Sequence, residues 1–397
     1  MKVAIIGGGA AGYFCANILA GRGDISVVVF EKQKRVLEKV KVSGGGRCNV
    51  TNAETNIGSL SKQYPRGEKF LKKAFQVFST SDTQQWFERR GVKLKTEPDG
   101  RIFPVSNSSQ TIIDVLRKVE QRPNVRLRSQ ENIESLVKKG EKWLVNTIEF
   151  DQVVVASGSN KKIWDMLENL GVSISPPVPS LFTFKIKDER LDGLMGLSVP
   201  LVEAKIIGDK KKTEGAFLIT HWGVSGPVVL KLSAWKARWF HELGYKFEVM
   251  LDFLPQLSED ELRESLNNNS TKKVISNSIE DIPKRLWGAF VESAGINDSK
   301  TFNELSKKQL NKLVTELKQG VYPVNGKTTF KEEFVTAGGV ELSEVNKKTL
   351  EHESLSGLFF AGEVLNIDAI TGGFNFQSAW TTAYLCAHGV SQKSSII

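Results

Sequence analysis

Apolar positions run along this chain in two rhythms. "KVAII", residues 2–6, is continuously apolar rather than alternating, the mark of a strand buried on both faces of a parallel sheet. Residues 10–22 then set Phe14, Ile18 and Leu19 on one side at helical spacing. The run from Val27 to Phe30 returns to strand character and ends at Glu31. Helical patterns follow at 68–90, the second opening at Ser81/Asp82 and stopping at Gly91. Another covers 108–122, capped by Ser108 or Ser109 and closed by Pro123. From Ile133 to Ala156 the pattern is short strands and turns, ending in "DQVVVASGS", and "PPVPS" at 176–180 reads as a linker. Residues 181–254 are strand-like and 257–320 helical and polar; from 327 short strands resume and lead into a glycine-rich helix start.

These elements predict an α/β fold whose first domain is discontinuous. Residues 1–190 and 327–397 form it, a β-rich unit at 191–256 and a helical unit at 257–326 interrupt it, and no internal repeat stands out. The chain of 397 residues has ample material for such a core. Its three cysteines, Cys15, Cys48 and Cys386, are far apart, which argues against a disulfide framework or a metal site and fits a reducing, cytoplasmic setting. No run of about 18 apolar residues predicts a membrane span. The net charge of +9 admits an anionic partner. Lys and Arg are scattered without a basic block, however, so nucleic-acid binding is not the expectation. Nothing in the sequence fixes an oligomeric state.

Candidate chemistry begins at "AIIGGGAAGYFCANILA". Gly7-x-Gly9-x-x-Gly12 follows a strand and opens a helix, and Glu31 lies about 20 residues on, the spacing of a dinucleotide fingerprint. The first glycine permits the turn, the second lets a pyrophosphate approach the backbone, and the third lets helix and strand pack. Helix N-terminal amides would meet the phosphates, and Glu31 would accept from ribose hydroxyls. This points to a dinucleotide without deciding between NAD and FAD.

A second stretch, "KVSGGGRCNVTN", offers consecutive glycine amides as an anion nest, with Lys41 and Arg47 adding charge. Cys48 has no second cysteine near it and is expected to pack rather than react. "VVVASG", Val153 to Gly158, ends a strand in small residues that admit a ligand. The fourth stretch runs from "GLFFAGEVL" through "ITGGFNF". Glu363 there could bond a polyol, and the helix opening at Gly373 would present amides to the negative N1–C2 edge of a reduced isoalloxazine. A nicotinamide enzyme has no need of that second element.

Taken together, "IIGGGAAG", "KVSGGGRCNVTN", "GRIFPVS", "THWGVSGP", "VTAGGV" and "GLFFAGEVLNIDAITGGFNFQSAWTTA" resemble the bacterial BaiN/RdsA family of FAD-binding proteins, also labelled the aminoacetone oxidase family. The resemblance covers nearly the whole chain. It implies a glutathione-reductase-type FAD-binding Rossmann domain with a barrel-like β-rich insert and a small helical domain. The implied cofactor contacts at the N-terminal end are Gly7, Gly9, Ala10, Ala11 and Gly12, with Glu31 and Lys32. The second block contributes Lys41, Ser43, Gly45, Gly46, Arg47, Cys48 and Asn49, and the middle of the chain Ile133, Ala156, Ser157 and Gly158. The C-terminal block contributes Gly362, Glu363, Asp368, Gly372, Gly373, Phe374, Asn375 and Phe376. "ASGSN" departs from the usual "ATGG", though Ser157 keeps a hydroxyl.

The expected function is an oxidoreductase that passes hydride through flavin N5 to or from a small organic substrate. No second glycine fingerprint exists, so NAD(P)H, as a reductant, would bind transiently over the flavin. The candidate substrate residues are Arg101, Thr220 and His221, with His221 the candidate proton donor or acceptor. The alternatives are an amine oxidase using oxygen and, from a different class, an RNA-associated flavoprotein.

Overall fold

The computed structural model describes residues 1–328 and 335–394. β1 (Lys2–Ile6) carries no polar side chain after Lys2 and lies at the middle of a parallel sheet, where both its faces are covered. The chain turns through glycines into α1 (Ala10–Leu19), then β2 (Ser26–Glu31), α2 (Glu38–Gly46) and β3 (Thr51–Asn52). Three helices follow: α3 (Ile57–Ser61), α4 (Glu68–Ala74) and α5 (Thr80–Glu88). The cap of α5 is Ser79, not Ser81 or Asp82 as the pattern suggests. Ser79 starts a capping box in which Asp82, at the third helical position, bonds back to its backbone N–H at 2.7 Å.

Next come β4 (Leu94–Thr96), β5 (Arg101–Pro104) and α6 (Ser109–Arg117), the last capped by Ser108. β6 (Val125–Ser129), the antiparallel trio β7 (Leu136–Lys139), β8 (Lys142–Val145) and β9 (Ile148–Phe150), then β10 (Gln152–Val155) and α7 (Lys161–Asn169) complete this part. The expected linker at 176–180 is instead part of β11 (Ile174–Ser180). Its prolines fit because it pairs on one side only, in a two-stranded sheet where missing N–H groups cost little.

Residues 179–328 form a separate compact unit. Its strands β12 (Thr183–Ile186), β13 (Ser198–Ile206), β14 (Lys212–Thr220) and β15 (Gly223–Ser225) precede α8 (Pro227–Trp235) and α9 (Ala237–Glu242). β16 (Lys246–Asp252), α10 (Glu259–Asn268), α11 (Lys284–Ser293), α12 (Lys307–Gln319) and β17 (Gly320–Thr328) follow. The six strands close a barrel in the order β12-β15-β14-β13-β16-β17. Its core is continuous with the buried faces of α8, α11 and α12. The expected divisions at 190/191 and 256/257 therefore fall within one packed unit. At the first of them Arg190 bonds Asp188, Glu316 and the Val321 carbonyl, and its guanidinium lies 3.9 Å from the Tyr322 ring centre.

The chain then returns to the first unit as β18 (Val335–Val340), β19 (Leu358–Phe360) and α13 (Phe374–Ser394). Of the expected segment 327–397, residues 329–334 and 395–397 lie outside those described. β18 pairs with β11, and β19 completes the parallel sheet β19-β10-β1-β2-β6. α1 and α13 pack together on one face, where Phe14 meets Trp86 and Trp380 with ring centres 4.5 and 5.3 Å apart. Burying such aromatics contributes apolar area to the packing between α1 and α13.

Candidate functional site

The first glycine turn has a local cause at each position. Gly7 has φ +118°, and a Cβ there would run into the Ala156 carbonyl, while one on Gly12 would strike the carbonyl of Gly7. Gly9 is different: nothing lies within 4 Å of where its Cβ would be. Two glycines are thus explained by packing and the third by open space in front of the first amides of α1. Glu31 accepts from the Gly8 N–H at 2.9 Å with one carboxylate oxygen and from the Gln33 N–H at 2.8 Å with the other. Each oxygen keeps lone-pair capacity for a hydroxyl.

The "SGGG" block breaks α2 open. Ser43 leaves the helix with ψ 148°, and Gly44, Gly45 and Gly46 follow at φ +57°, +66° and +81°. Successive residues of this kind aim their amides to one side. Lys41 turns away and is exposed, its carbonyl accepting from Ser109. Arg47 pairs with Glu97 at 2.6 Å and sits 4.0 Å from the Phe103 ring centre. Cys48 is fully buried at φ +59°, and burial pushes its thiol up to about 12, so it is a packing residue at neutral pH. Asn49, oriented to satisfy its neighbours, accepts from the Gly373 N–H at 2.8 Å.

Strand β10 delivers Ala156, Ser157 and Gly158 to the same place. The Ser157 Oγ is buried and has no hydrogen-bond partner among the described residues. From the other chain end, Gly362, at φ +76°, brings its backbone against Ala11 and donates its N–H to Thr382 at 2.9 Å. Glu363 accepts from the Thr336 N–H and pairs with Lys39. Gly372 and Gly373 turn the chain into α13 at φ +134° and +89°; a Cβ on Gly373 would meet the Thr51 carbonyl. Asn375 closes the preceding loop with two bonds to Ala369, at 3.0 and 3.2 Å. Phe374 is buried, its carbonyl accepting from the Tyr64 hydroxyl at 2.7 Å. Asp368 is fully buried in a two-pronged pair with Arg66.

These strand ends and helix starts enclose one cleft of about 650 Å³ within the first unit. Its size suits a cofactor. It is lined by Gly7, Gly9, Ala10 and Ala11, by Glu31 and Lys32, and by Ser43 and Gly45. Ala156, Ser157 and Gly158, then Gly362, Glu363, Asn375 and Phe376, complete the residues expected there. Gly12, Asn49, Asp368, Gly372, Gly373 and Phe374 are not among the lining residues. Lys41, Gly46, Arg47, Cys48 and Ile133 are not among the lining residues. Ile133 is buried between β6 and β7. Sequence reasoning missed Gly8, Gln33, Lys39, Thr371, Ser378 and Ala379, which also line the cleft. Ser378 and Ala379 stand one helical turn past Asn375, so the period of α13 could have found them. Lys39 carried no such signal.

The substrate candidates are placed otherwise. Arg101 is held by Asp99 at 2.6 Å and Glu97 at 3.1 Å, a structural ion-pair cluster with Arg47. Thr220 and His221 lie in the second unit, at the tip joining β14 to β15. The Thr220 hydroxyl donates to the Gly223 carbonyl, and His221 is exposed, its ring 4.9 Å from that of Trp222.

The cleft fits FAD on two observations. Ser157, whose buried Oγ has no partner among the described residues, is one of its lining residues, and helix N-termini from both chain ends, α1 and α13, open onto it past glycines. Fold and site thus define a Rossmann-type FAD-binding flavoprotein of the oxidoreductase class. The chain belongs to the HI0933-like family, whose Rossmann-domain model matches residues 1–389. It is 30% identical to the ribosomal RNA dihydrouridine synthase of Haemophilus influenzae over 98% of both chains. It is 27% identical to the 3-dehydro-bile acid delta(4,6)-reductase of Clostridium scindens over 99% of both. A looser likeness is the 3-ketosteroid delta1-dehydrogenase of Sterolibacterium denitrificans, 14% identical with a TM-score of 0.49 over 98% of this chain and 99% of that one. Among the described residues no helix is long and apolar enough to cross a membrane.

Proposed function

We propose that this protein is an FAD-dependent reductase that saturates a carbon–carbon double bond conjugated to a carbonyl. What carries the reading is a common denominator between two full-length relatives. Dihydrouridine is uridine with its ring double bond, conjugated to a carbonyl, saturated, and a delta(4,6)-reductase of a 3-dehydro bile acid acts on double bonds that are likewise conjugated to a ketone. When bound, FAD would supply the hydride transfer, accepting from NAD(P)H and giving to the substrate.

This chain's residues would hold that cofactor. Gly9 and the first amides of α1 would face the pyrophosphate, Glu31 the adenosine ribose, and Ser157 an acceptor beside it. Glu363 would face the ribityl chain, and the start of α13 would favour negative charge on the ring system. With no second glycine fingerprint, NAD(P)H would bind weakly, lacking a pre-formed turn.

The test is anaerobic. Holoprotein reduced with NADPH or NADH is mixed with a steroid dienone or with uridine-containing RNA, and flavin absorbance is followed. Reoxidation by one of these acceptors is the expected result. Flavin that neither acceptor reoxidises, but that an amine reduces and oxygen rapidly reoxidises, would overturn the proposal in favour of an oxidase.

A further inference from the structure

Lys39 and Glu363 both line the cofactor cleft, and their ion pair joins positions 324 residues apart. The strand order shows what that pair crosses. In the parallel sheet β19-β10-β1-β2-β6, Lys39 belongs to the segment that leaves β2 and Glu363 to the segment that leaves β19. β10 and β1 lie between them, so the two strands are three spacings apart, about 14 Å. The span is covered in two steps. After β2 the chain turns back onto the first glycine turn, where the Leu37 N–H donates to the Gly8 carbonyl at 2.9 Å. From α2 the Lys39 side chain then reaches Glu363 at 2.5 Å. The carboxylate oxygen it meets lies 3.5 Å from where a Cβ on Gly158, just past β10, would stand. Both ends are anchored. Leu37 is buried, and the second Glu363 oxygen accepts from the Thr336 N–H at 3.1 Å. The movable part is the lysine stem, which is rich in rotamers and 54% exposed.

We propose that this pair is a clasp over the cofactor cleft, closed across the carboxyl ends of β1 and β10, which opens whenever FAD enters or leaves. The proposal rests on FAD lying in that cleft and not on the reaction it performs there. A dinucleotide runs through the crevice outside the carboxyl ends of parallel strands. Gly9 and Ser157 line that crevice just beyond β1 and β10. The closed clasp is compatible with bound cofactor. One Glu363 oxygen faces the Thr336 N–H and the other Lys39, and each keeps a lone pair for a ribityl hydroxyl. Lys39 would serve the pyrophosphate directly only by leaving Glu363, and the two roles give opposite kinetics.

The experiment uses the full chain and FAD itself. Uptake by flavin-free protein is followed by stopped-flow quenching of flavin fluorescence. Release is followed by chasing radiolabelled FAD from the holoprotein with unlabelled FAD. An ion pair of this exposure shifts an equilibrium by a factor of about two to five, and Lys39→Met should speed uptake and release alike by that factor. The Kd, as their ratio, should stay within about twofold of the wild type. Lys39→Arg keeps the charge and the reach, and should bring both rates back to within about twofold of the wild type. The Tm of the flavin-free protein should be unchanged in both variants, since a merely structural role moves stability and not the two rates together. Wild-type uptake and release in Lys39→Met would overturn the clasp. Slower uptake with faster release would overturn it too, and would make Lys39 a direct phosphate contact. Both of those outcomes leave FAD in the cleft. Wild-type protein that takes up no FAD would instead overturn the placement of the cofactor, and the clasp with it.

Discussion

Ser157→Ala separates a cofactor contact from a structural one, because the two predict opposite effects on protein without flavin. The Ser157 Oγ is buried with no partner among the described residues, so removing it breaks no bond within the protein. A buried unsatisfied hydroxyl costs about 1–3 kcal/mol. Ser157→Ala removes that cost, and a gain of about 1 kcal/mol, the low end of the range, is expected in the apoprotein. For a unit of this size that is about 2–4 °C in Tm. With FAD the sign reverses. A hydrogen bond is worth about 0.5–1.5 kcal/mol to a neutral acceptor and about 1.5–3 to a charged phosphate oxygen. The centre of that range is about tenfold in Kd. The assays are thermal melting of apoprotein and FAD titration by quenching of flavin fluorescence. Unchanged FAD affinity together with a less stable apoprotein would refute the reasoning and make Ser157 a structural residue.

Other perturbations follow from the same geometry. Gly12→Ala puts a methyl into the Gly7 carbonyl, so loss of bound FAD and destabilisation by about 3 kcal/mol are expected, read by absorbance and denaturant melts. Glu31→Gln sets an amide N–H₂ against either the Gly8 or the Gln33 N–H. FAD affinity should fall by about tenfold, while retention of wild-type affinity would remove Glu31 from the site. The Cys48 thiol is raised from 9.0 to about 12, so the stability that its neutral form contributes is complete below pH 9 and is lost as pH rises toward 12. Cys48→Ala should remove a loss of stability of about 1 kcal/mol between pH 9 and 10, read by urea melts. His221→Ala removes an exposed ring with no hydrogen bond among the described residues, and Tm and flavin content should stay unchanged; a large Tm loss would show a packing role.

What the sequence makes legible is what a short window can encode. The Gly7–Gly12 turn, Glu31 and the opening of α13 are local backbone requirements, and they lie where their spacing puts them. Partners chosen across the fold are less visible. Arg101 finds Asp99 and Glu97 within a few residues, yet nothing in "GRIFPVS" says that it is spent there. Arg66 and Asp368 meet from positions 302 residues apart. The barrel's closing strand β17 follows three helices, and its pairing with β12 and β16 leaves no periodic trace before the fold exists. The prolines of β11 look like punctuation because single-sided pairing cannot be read from composition.

The central claim is that the cleft between the strand ends of β1, β2 and β10 and the start of α13 holds a complete FAD. The measurement that tests it most directly is chromatography of the flavin released by acid precipitation of the purified protein, quantified against protein concentration. The account expects a yellow protein that releases FAD non-covalently at about one per chain, since Glu31 and the Gly7–Gly12 turn serve the adenosine half. FMN alone in the extract, or colourless protein that takes up no FAD on titration, would contradict it.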